Sequence, residues 1–208
     1  MKADCCTTIP TRWVFLLAVM VIGAGRPARS DALPESVDGQ LMVADFDQGG
    51  WRTNLGDPFG TWDHDPEDRT QFCRARLVEE PRVGASGYSL MLDYDVKSPN
   101  PAYNGFWMKL PNLPLNRFQA LTFSIKGDAD RDFTRRVKLE LKGKRRSAAY
   151  LLDGIQSEWV RMRIPLREFR DIEKIRTATE FVIVFDDQTM TQPVGTIYLD
   201  EVGFESTP

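Results

Sequence analysis

The chain has 208 residues, of which 42% are hydrophobic and 27% are charged, and its formal net charge at pH 7 is −3. This length suits one domain with a substantial core and is short for two. The acidic balance argues against nucleic acid as the partner, because duplex binding draws on a concentrated basic surface.

Residues 1–30 carry the pattern of a secretory signal peptide. Two basic residues precede an uncharged run over residues 13–25, and a small-x-small site follows at residues 28–30. These are the lead, the apolar stretch and the cleavage site of such signals. The run is shorter than the roughly 20 residues of a membrane-spanning helix. We therefore expect export to the periplasm or the exterior, cleavage after Ser30 or Ala32, and no membrane span in the mature protein.

The mature chain is predicted to be a short leader followed by one domain. Residues 1–30 hold four basic side chains and one acid, so the remainder has a net charge of about −6. Its only cysteine is Cys73, which leaves no internal disulfide, and stability must come from the core. We assign residues 31–39 to a flexible leader and residues 40–206 to the domain.

Within this domain the dominant hydrophobic period is two, which predicts half-buried antiparallel strands. Clusters of Gly, Pro, Asn and Asp separate the strands, and helix is expected only in short pieces near residues 166–169 and 171–178. About eight strands with some long connections predict an all-β protein, an antiparallel β-sandwich of the jelly-roll type. The clearest alternating segments are residues 89–96, 105–110, 121–126 and 137–142.

The first and last strand-like segments, residues 41–47 and 195–204, both carry acidic side chains. The first and last strands of an antiparallel sandwich are commonly neighbours, so these carboxylates are expected to converge. Because calcium takes six to eight oxygen ligands, the pattern predicts a calcium site at this point. The alternative is a set of solvated acids at strand ends. The candidate ligands are Asp45, Asp47, Asp200 and Glu201.

A polar strand face with aromatic residues suits a carbohydrate ligand, because rings stack on pyranose faces and polar groups bind hydroxyls. In residues 105–110, alternation places Trp107 and Lys109 opposite the apolar set. The alternative is a salt-bridged solvent surface. In the other predicted strands, the residues that alternate with the apolar ones are assigned to the same outer face. They are Asp93, Ser124, Lys126, Lys138, Glu140, Lys142, Arg161 and Arg163. The candidate binding residues are Trp107, Lys109, Lys138, Glu140 and Arg161, with Tyr103 and Asn104 in the preceding loop.

The order of these segments resembles the galactose-binding-like jelly rolls, and the resemblance covers most of residues 41–206. Within that superfamily the chain is similar to carbohydrate-binding modules of bacterial glycanases and, more weakly, to complex I intermediate-associated assembly factors. The resemblance implies non-catalytic binding of an oligo- or polysaccharide. It also implies a structural calcium, with Asp47 and Asp200 as the main side-chain ligands. The motifs that carry it are residues 44–47, 104–110, 121–128, 158–166 and 195–204.

Two other function classes stay open at this point. One is a periplasmic protein-interaction domain, as the assembly factors suggest, with a protein as its partner. The other is a glycan hydrolase or lyase, in which Asp93 and Glu140 act as paired carboxylates roughly 5–9 Å apart. Trp51 and Trp62 are predicted to anchor loops on the edge of the sandwich.

Overall fold

The alternating segments form strands. The computed structural model describes residues 38–207, which contain eleven strands and three short 3-10 turns. The predicted signal peptide, its cleavage sites and most of the leader lie outside the described residues. The strands are β1 (Gln40–Ala44), β2 (Phe59–Asp63), β3 (Phe72–Val78), β4 (Ser89–Asp95), β5 (Tyr103–Pro114), β6 (Phe118–Gly127), β7 (Arg136–Lys142), β8 (Ser147–Asp153), β9 (Val160–Pro165), β10 (Thr177–Asp186) and β11 (Val194–Ser206).

The strands are arranged in two antiparallel sheets. The six-stranded sheet has the order β3-β4-β11-β6-β9, with β1 paired to β11, and the five-stranded sheet has the order β2-β5-β10-β7-β8. Strand β4 pairs with the first half of β11 and β1 pairs with the second half. Most spatial neighbours are distant in sequence, as jelly-roll connections require. The predicted all-β, antiparallel jelly-roll sandwich is confirmed.

The first and last strands are neighbours, as predicted. Leu41 lies opposite Phe204, and Gln40 lies opposite Glu205. Strand β1 ends at Ala44, however, which is earlier than the predicted Asp47. Phe46 has a φ of 58°, in the left-handed region, so the chain turns here and cannot continue as a strand.

Alternation decides which side chains of β5 are buried. Phe106, Met108 and Leu110 point into the core, while Trp107 is half-buried and Lys109 is exposed. The two sheets meet through aromatic contacts such as that between Tyr94 of β4 and Phe185 of β10, whose ring centroids are 4.3 Å apart. The other aromatic side chains of the described residues that are almost completely buried are Phe106, Phe123, Phe169, Phe181 and Phe204.

The middle strand of the five-stranded sheet, β10, is apolar on both faces. Phe181, Ile183 and Phe185 fill the core, but Val182 and Val184 on the outer face are only 0% and 4% exposed. Val182 lies in register between Trp107 of β5 and Glu140 of β7, and Val184 lies beside Lys138 of β7. The outer face of this sheet therefore has an apolar floor beneath its polar groups.

Helical structure is confined to 3-10 turns, two of which confirm the predicted short pieces. These turns are Leu166–Glu168 and Ile172–Lys174, and the third is Leu115–Arg117. Within residues 38–207, no helix is long and apolar enough to cross a membrane. Cys73 on β3 is buried and carries a free thiol.

Candidate functional site

Two tryptophans lie on the outer face of the five-stranded sheet, each opposite a glycine of the adjacent strand. Trp107 of β5 is paired with Gly60 of β2, and Trp62 of β2 is paired with Gly105 of β5. Cβ atoms placed on Gly60 and Gly105 would lie 3.1 Å from Trp107 Cζ2 and 3.1 Å from Trp62 Nε1. The missing side chains thus allow both indoles to lie against the neighbouring strand.

The aromatic surface continues toward the end of β5. The Trp62 and Tyr103 ring centroids are 5.8 Å apart at an interplanar angle of 66°. Tyr103 stacks on His64, with centroids 3.9 Å apart and rings 24° from parallel. Trp107 is fixed by a hydrogen bond from its Nε1 to the Thr61 carbonyl oxygen, 3.2 Å away. We call the surface formed by Trp62, His64, Tyr103 and Trp107 the aromatic face.

Charged side chains border the aromatic face. Trp62, Trp107, Lys109, Lys142 and Glu180 line a shallow cavity of about 350 Å³. The Lys109 ammonium lies 5.4 Å from the centre of the Trp107 ring, within cation–π range. The Glu180 carboxylate accepts a hydrogen bond from Lys109 and forms an ion pair with Lys142 at 3.1 Å. These residues hold a fixed row of charge beside the indoles.

The two lysines beside Glu180 also change its pKa. Burial works to raise this pKa, but hydrogen bonds from Lys109 and Lys142 outweigh it and lower the pKa below its usual value. The carboxylate is therefore ionised at neutral pH. One strand further, Lys138 and Glu140 form an ion pair at 3.2 Å. Such anchored ammonium and carboxylate groups can donate to and accept from sugar hydroxyls.

Five predicted binding residues lie together on this outer face. Tyr103, Trp107 and Lys109 project from β5, and Lys138 and Glu140 project from β7, two strands away across β10. Tyr103 is 39% exposed. It begins strand β5 and does not belong to the preceding loop, which differs from the prediction.

Asn104 does not border the face. It is fully buried, and its Nδ2 donates to the Asp95 carbonyl oxygen at 2.8 Å. The prediction that it flanks a ligand in a loop is wrong. Asn104 lies two residues before Phe106 in β5, so its side chain points into the sandwich, as that of Phe106 does. Asn104 instead joins β5 to the end of β4 inside the sandwich.

Arg161 also lies away from Trp107. It belongs to β9, at the edge of the other sheet, and its guanidinium pairs with Glu201 at 2.9 Å. The prediction that it shares a face with Trp107 is wrong. The alternation of residues along a strand tells whether a side chain points inward or outward, but it does not tell to which of the two sheets the strand belongs. For the same reason the predicted outer set is divided. Its members on the six-stranded sheet are Asp93, Ser124, Lys126, Arg161 and Arg163.

The two carboxylates considered for hydrolysis are separated as well. Asp93 faces outward from β4 of one sheet, and Glu140 faces outward from β7 of the other. Sheets in a sandwich pack about 10 Å apart, and outward side chains diverge further. Asp93 pairs with Arg76 and Glu140 with Lys138. The structure therefore does not bring these two acids together as a catalytic pair.

Three members of the site were missed from the sequence. Trp62 is predicted to anchor a loop but lies in β2, where residues 59–62 alternate in the way expected of a strand that places Gly60 and Trp62 on one face. His64 stands among the acidic residues Asp63, Asp65, Glu67 and Asp68, a composition typical of a solvated loop, so the sequence does not indicate its contact with Tyr103. Glu180 could have been found from the parity of β10, since it has the opposite parity to Phe181.

Two of the predicted calcium ligands come close together through the loop at residues 79–88. The Asp47 carboxylate lies against Gly87, where a Cβ would be 1.8 Å from its Oδ1. The Asp200 Oδ2 accepts a hydrogen bond from the Val83 backbone N–H at 2.9 Å. No basic side chain within residues 38–207 forms an ion pair with either carboxylate.

The pKa values reflect this accumulation of negative charge. Burial raises the pKa of Asp200 to about 6, the charges of Glu201 and Asp47 add to the rise, and backbone N–H groups of Val83 and Glu201 oppose it. A buried carboxylate beside a second one, without a cation, is costly to ionise. Calcium would remove this cost, so the donor chemistry of the pair fits a hard cation.

The other two candidate calcium ligands have protein partners. Asp45 Oδ2 accepts a hydrogen bond from Asn54 Nδ2 at 2.7 Å, and Asp45 Oδ1 accepts one from the Asp47 backbone N–H at 3.2 Å. The Glu201 carboxylate faces Arg161. Across residues 38–207, no group of three or more His, Cys, Asp or Glu side chains is arranged to hold a metal ion. Any calcium shell here would combine Asp47 and Asp200 with backbone oxygens.

The architecture is similar to that of several solved binding modules. A family 11 carbohydrate-binding module from Clostridium thermocellum, solved with a β-1,3-1,4-mixed-linked tetrasaccharide, is 14% identical with a TM-score of 0.59, covering 83% of this chain and 98% of that module. The CBM22-1 xylan-binding domain from Paenibacillus barcinonensis is 12% identical with a TM-score of 0.51, covering 84% of this chain and all of that domain. The chain shares the jelly-roll fold of these modules. No protein-family model matches the chain, and no curated protein matches its sequence.

Proposed function

We propose that this jelly-roll protein binds carbohydrate without chemical turnover, and that sugar rings stack on Trp107 and Trp62. The observation that carries the proposal is the pair of indoles, each laid against a glycine of the next strand and bordered by anchored charges. Flat, rigid aromatic surfaces beside hydrogen-bonding groups suit a pyranose chain. One similar module was solved with a β-1,3-1,4-mixed-linked tetrasaccharide and the other is named a xylan-binding domain, so mixed-linked β-glucan and xylan are the first polysaccharides to test.

Affinity electrophoresis in gels containing each polysaccharide tests this proposal. The wild-type protein is expected to be retarded, and Trp107→Ala and Trp62→Ala are expected to migrate faster. Trp159→Ala is the matched control, because Trp159 lies beside Tyr198 on the six-stranded sheet. Retention of full binding by both Trp107→Ala and Trp62→Ala would exclude the aromatic face as the site. Loss of binding only in the Trp159 variant would place it on the opposite sheet.

We further propose that calcium stabilises the fold between β1 and β11, held by Asp47 and Asp200. Support comes from the proximity of the two carboxylates and from the lack of a basic partner for either within residues 38–207. Isothermal titration of the chelator-treated protein with calcium is expected to show one site, which Asp47→Asn removes. An unchanged titration in that variant would disprove the assignment.

The N-terminal pattern supports a third proposal, that the protein is exported to the periplasm or the exterior. Expression of the full chain in a bacterial host with a general secretory system is expected to yield a processed form. Its intact mass would identify cleavage after Ser30 or after Ala32. Recovery of only the unprocessed chain in the cytoplasm would contradict export.

A further inference from the structure

A concentration of positive charge lies where β7 turns back into β8. The turn at residues 143–146 carries Lys144, Arg145 and Arg146, and the segment before β10 adds two more basic residues beside it. Cavities of about 530 and 380 Å³ are formed by these side chains. The basic hairpin patch consists of Lys142, Lys144, Arg145, Arg146, Lys174 and Arg176.

Two of the six basic residues of this patch have an acidic partner: Lys142 pairs with Glu180 at 3.1 Å, and Lys174 pairs with Asp171. Of the residues that the structure describes, Asp171 is the only acidic side chain that lines either cavity, and it accepts a hydrogen bond from Lys174. Among residues 38–207, Lys144, Arg145 and Arg146 form no ion pair. These three adjacent cations at the tip of the hairpin thus lie without a paired carboxylate in the described part of a chain whose net charge is −3. Their mutual repulsion is relieved most directly by an anionic ligand.

The patch is continuous with the aromatic face. Lys142 lines both the 350 Å³ cavity beside Trp62 and Trp107 and the 530 Å³ cavity of the hairpin. Lys109, Glu180 and Lys142 are register partners on three successive strands. The two strand spacings from β5 to β7 amount to about 10 Å. One short stretch of polysaccharide can therefore contact the indoles and the hairpin together.

We propose that the polysaccharide bound at the aromatic face is anionic, and that the basic hairpin patch binds its acidic groups while neighbouring sugar rings stack on the indoles. This inference rests on the proposed function and narrows its ligand class. The acidic groups are carboxylates or sulfate esters, both of which accept paired hydrogen bonds from a guanidinium. Arg145 and Arg146 supply two such groups at the tip of the hairpin.

Binding measurements with four soluble polymers test this inference. These are polygalacturonate for carboxylates, dextran sulfate for sulfate esters, mixed-linked β-glucan as the neutral glycan, and poly-L-glutamate as an acidic chain without sugar. The test variant carries Lys144→Gln, Arg145→Gln and Arg146→Gln. The control variant carries Lys97→Gln, Arg135→Gln and Arg167→Gln, which removes the same charge from exposed positions elsewhere. Near-ultraviolet circular dichroism verifies that both variants fold.

The wild-type protein is expected to bind one of the acidic polysaccharides at least ~10-fold more tightly than the β-glucan and poly-L-glutamate. The hairpin variant is expected to lose about tenfold or more of that affinity, since three exposed charge contacts each contribute a factor of roughly two to five. The control variant is expected to keep it. Trp107→Ala is expected to weaken the same interaction. Whether polygalacturonate or dextran sulfate binds more tightly identifies the acidic group.

Each contrary result has a distinct meaning. Binding of β-glucan at least as tightly as both acidic polysaccharides, with an unchanged hairpin variant, would overturn the inference and leave carbohydrate binding intact. Equal binding of poly-L-glutamate, insensitive to Trp107→Ala, would also overturn it, since the patch would then be a general polyanion surface. No binding of any polysaccharide by the folded protein would overturn the proposed function together with the inference.

Discussion

Two glycines determine how the tryptophans lie on the sheet. At Gly60 the nearest neighbour of an added Cβ is the Trp107 ring, whereas at Gly105 it is the Ile183 carbonyl oxygen at 2.1 Å. A side chain at Gly105 would therefore disturb the pairing of β5 with β10. A side chain at Gly60 would mainly displace the indole, so Gly60 allows the orientation of Trp107 to be changed with little change in the fold.

Gly60→Val is expected to weaken glycan binding several-fold while changing the free energy of unfolding by less than about 1 kcal/mol, because valine favours strands and the displaced ring is half-exposed. Isothermal titration and urea denaturation measure the two effects. Gly50→Val is the control, since no atom lies within 4 Å of a Cβ built there. Unchanged affinity in Gly60→Val would mean that the orientation of Trp107 is not part of recognition.

Asp200 gives the calcium-free protein a defined pH dependence. Its folded pKa of about 6 lies above the ordinary value of 3.8, so the folded state holds the proton more tightly. Its contribution to stability is complete below about pH 3.8 and is lost as the pH rises through 6. The loss is up to about 3 kcal/mol for a shift of this size.

In chelator, the free energy of unfolding of the wild type relative to Asp200→Asn is therefore expected to fall between pH 4 and pH 7. Urea denaturation of both proteins at several pH values measures the difference in unfolding free energy. Groups that titrate alike in the two proteins contribute equally to both free energies and drop out of the difference. A wild-type-to-variant difference that does not change with pH would contradict the raised pKa. Asp95→Asn, at the half-buried end of β4, serves as the control.

At the scale of elements, β10 links the core to the outer face that carries the aromatic face. Its inward side carries Phe181, Ile183 and Phe185, and its outward side carries Glu180 between Lys109 and Lys142. The same strand therefore fixes the spacing between the indoles on β5 and the charges on β7. A substitution on the inward side of β10 should therefore lower the free energy of unfolding more than it changes contacts on the outer face.

Phe185→Ala is expected to cost about 3–5 kcal/mol of unfolding free energy, because it removes a fully buried ring stacked on Tyr94 and leaves a cavity between the sheets. Chemical denaturation followed by tryptophan fluorescence measures this cost. Phe185→Leu, which fills most of the volume, is expected to cost markedly less. Equal costs for the two variants would show that ring stacking, and not volume, dominates at this position.

The elements also show how far the sequence could predict the site. The period of two in residues 105–110 correctly placed Trp107 and Lys109 opposite Phe106. The same period could not assign Arg161 to a sheet, because sheet membership depends on pairings between residues far apart in sequence. Trp62 was missed because β2 has only five residues and two of them are Gly60 and Thr61, which weaken the apolar signal. Long alternating strands were thus predictable, and the partners of short ones were not.

At the scale of the whole molecule, the Asp47 and Asp200 pair joins the start of the described domain to its last strand. A ligand that binds only the folded state stabilises it by mass action. Calcium held between residues so distant in sequence would stabilise the sandwich as a unit. Its effect should therefore appear in global unfolding.

Calcium at 100 times its dissociation constant is expected to raise the free energy of unfolding by about 2.7 kcal/mol. For a domain of this size the melting temperature should rise by roughly 5–10 °C. Differential scanning calorimetry with calcium, with magnesium and with chelator measures the rise, which Asp47→Asn should abolish. The same rise with magnesium would argue for nonspecific ion binding, because magnesium demands tighter octahedral geometry.

The antiparallel pairing of β1 with β11 has a mechanical consequence. Gln40, where β1 begins, is the partner of Glu205, next to the end of β11. A force that separates these two positions acts across the ladder at one end, so the hydrogen bonds between the strands break one after another and do not share the load. We expect β1 to peel away at low force when single molecules are stretched between residues 40 and 205. The rest of the sandwich would then unfold as a later event.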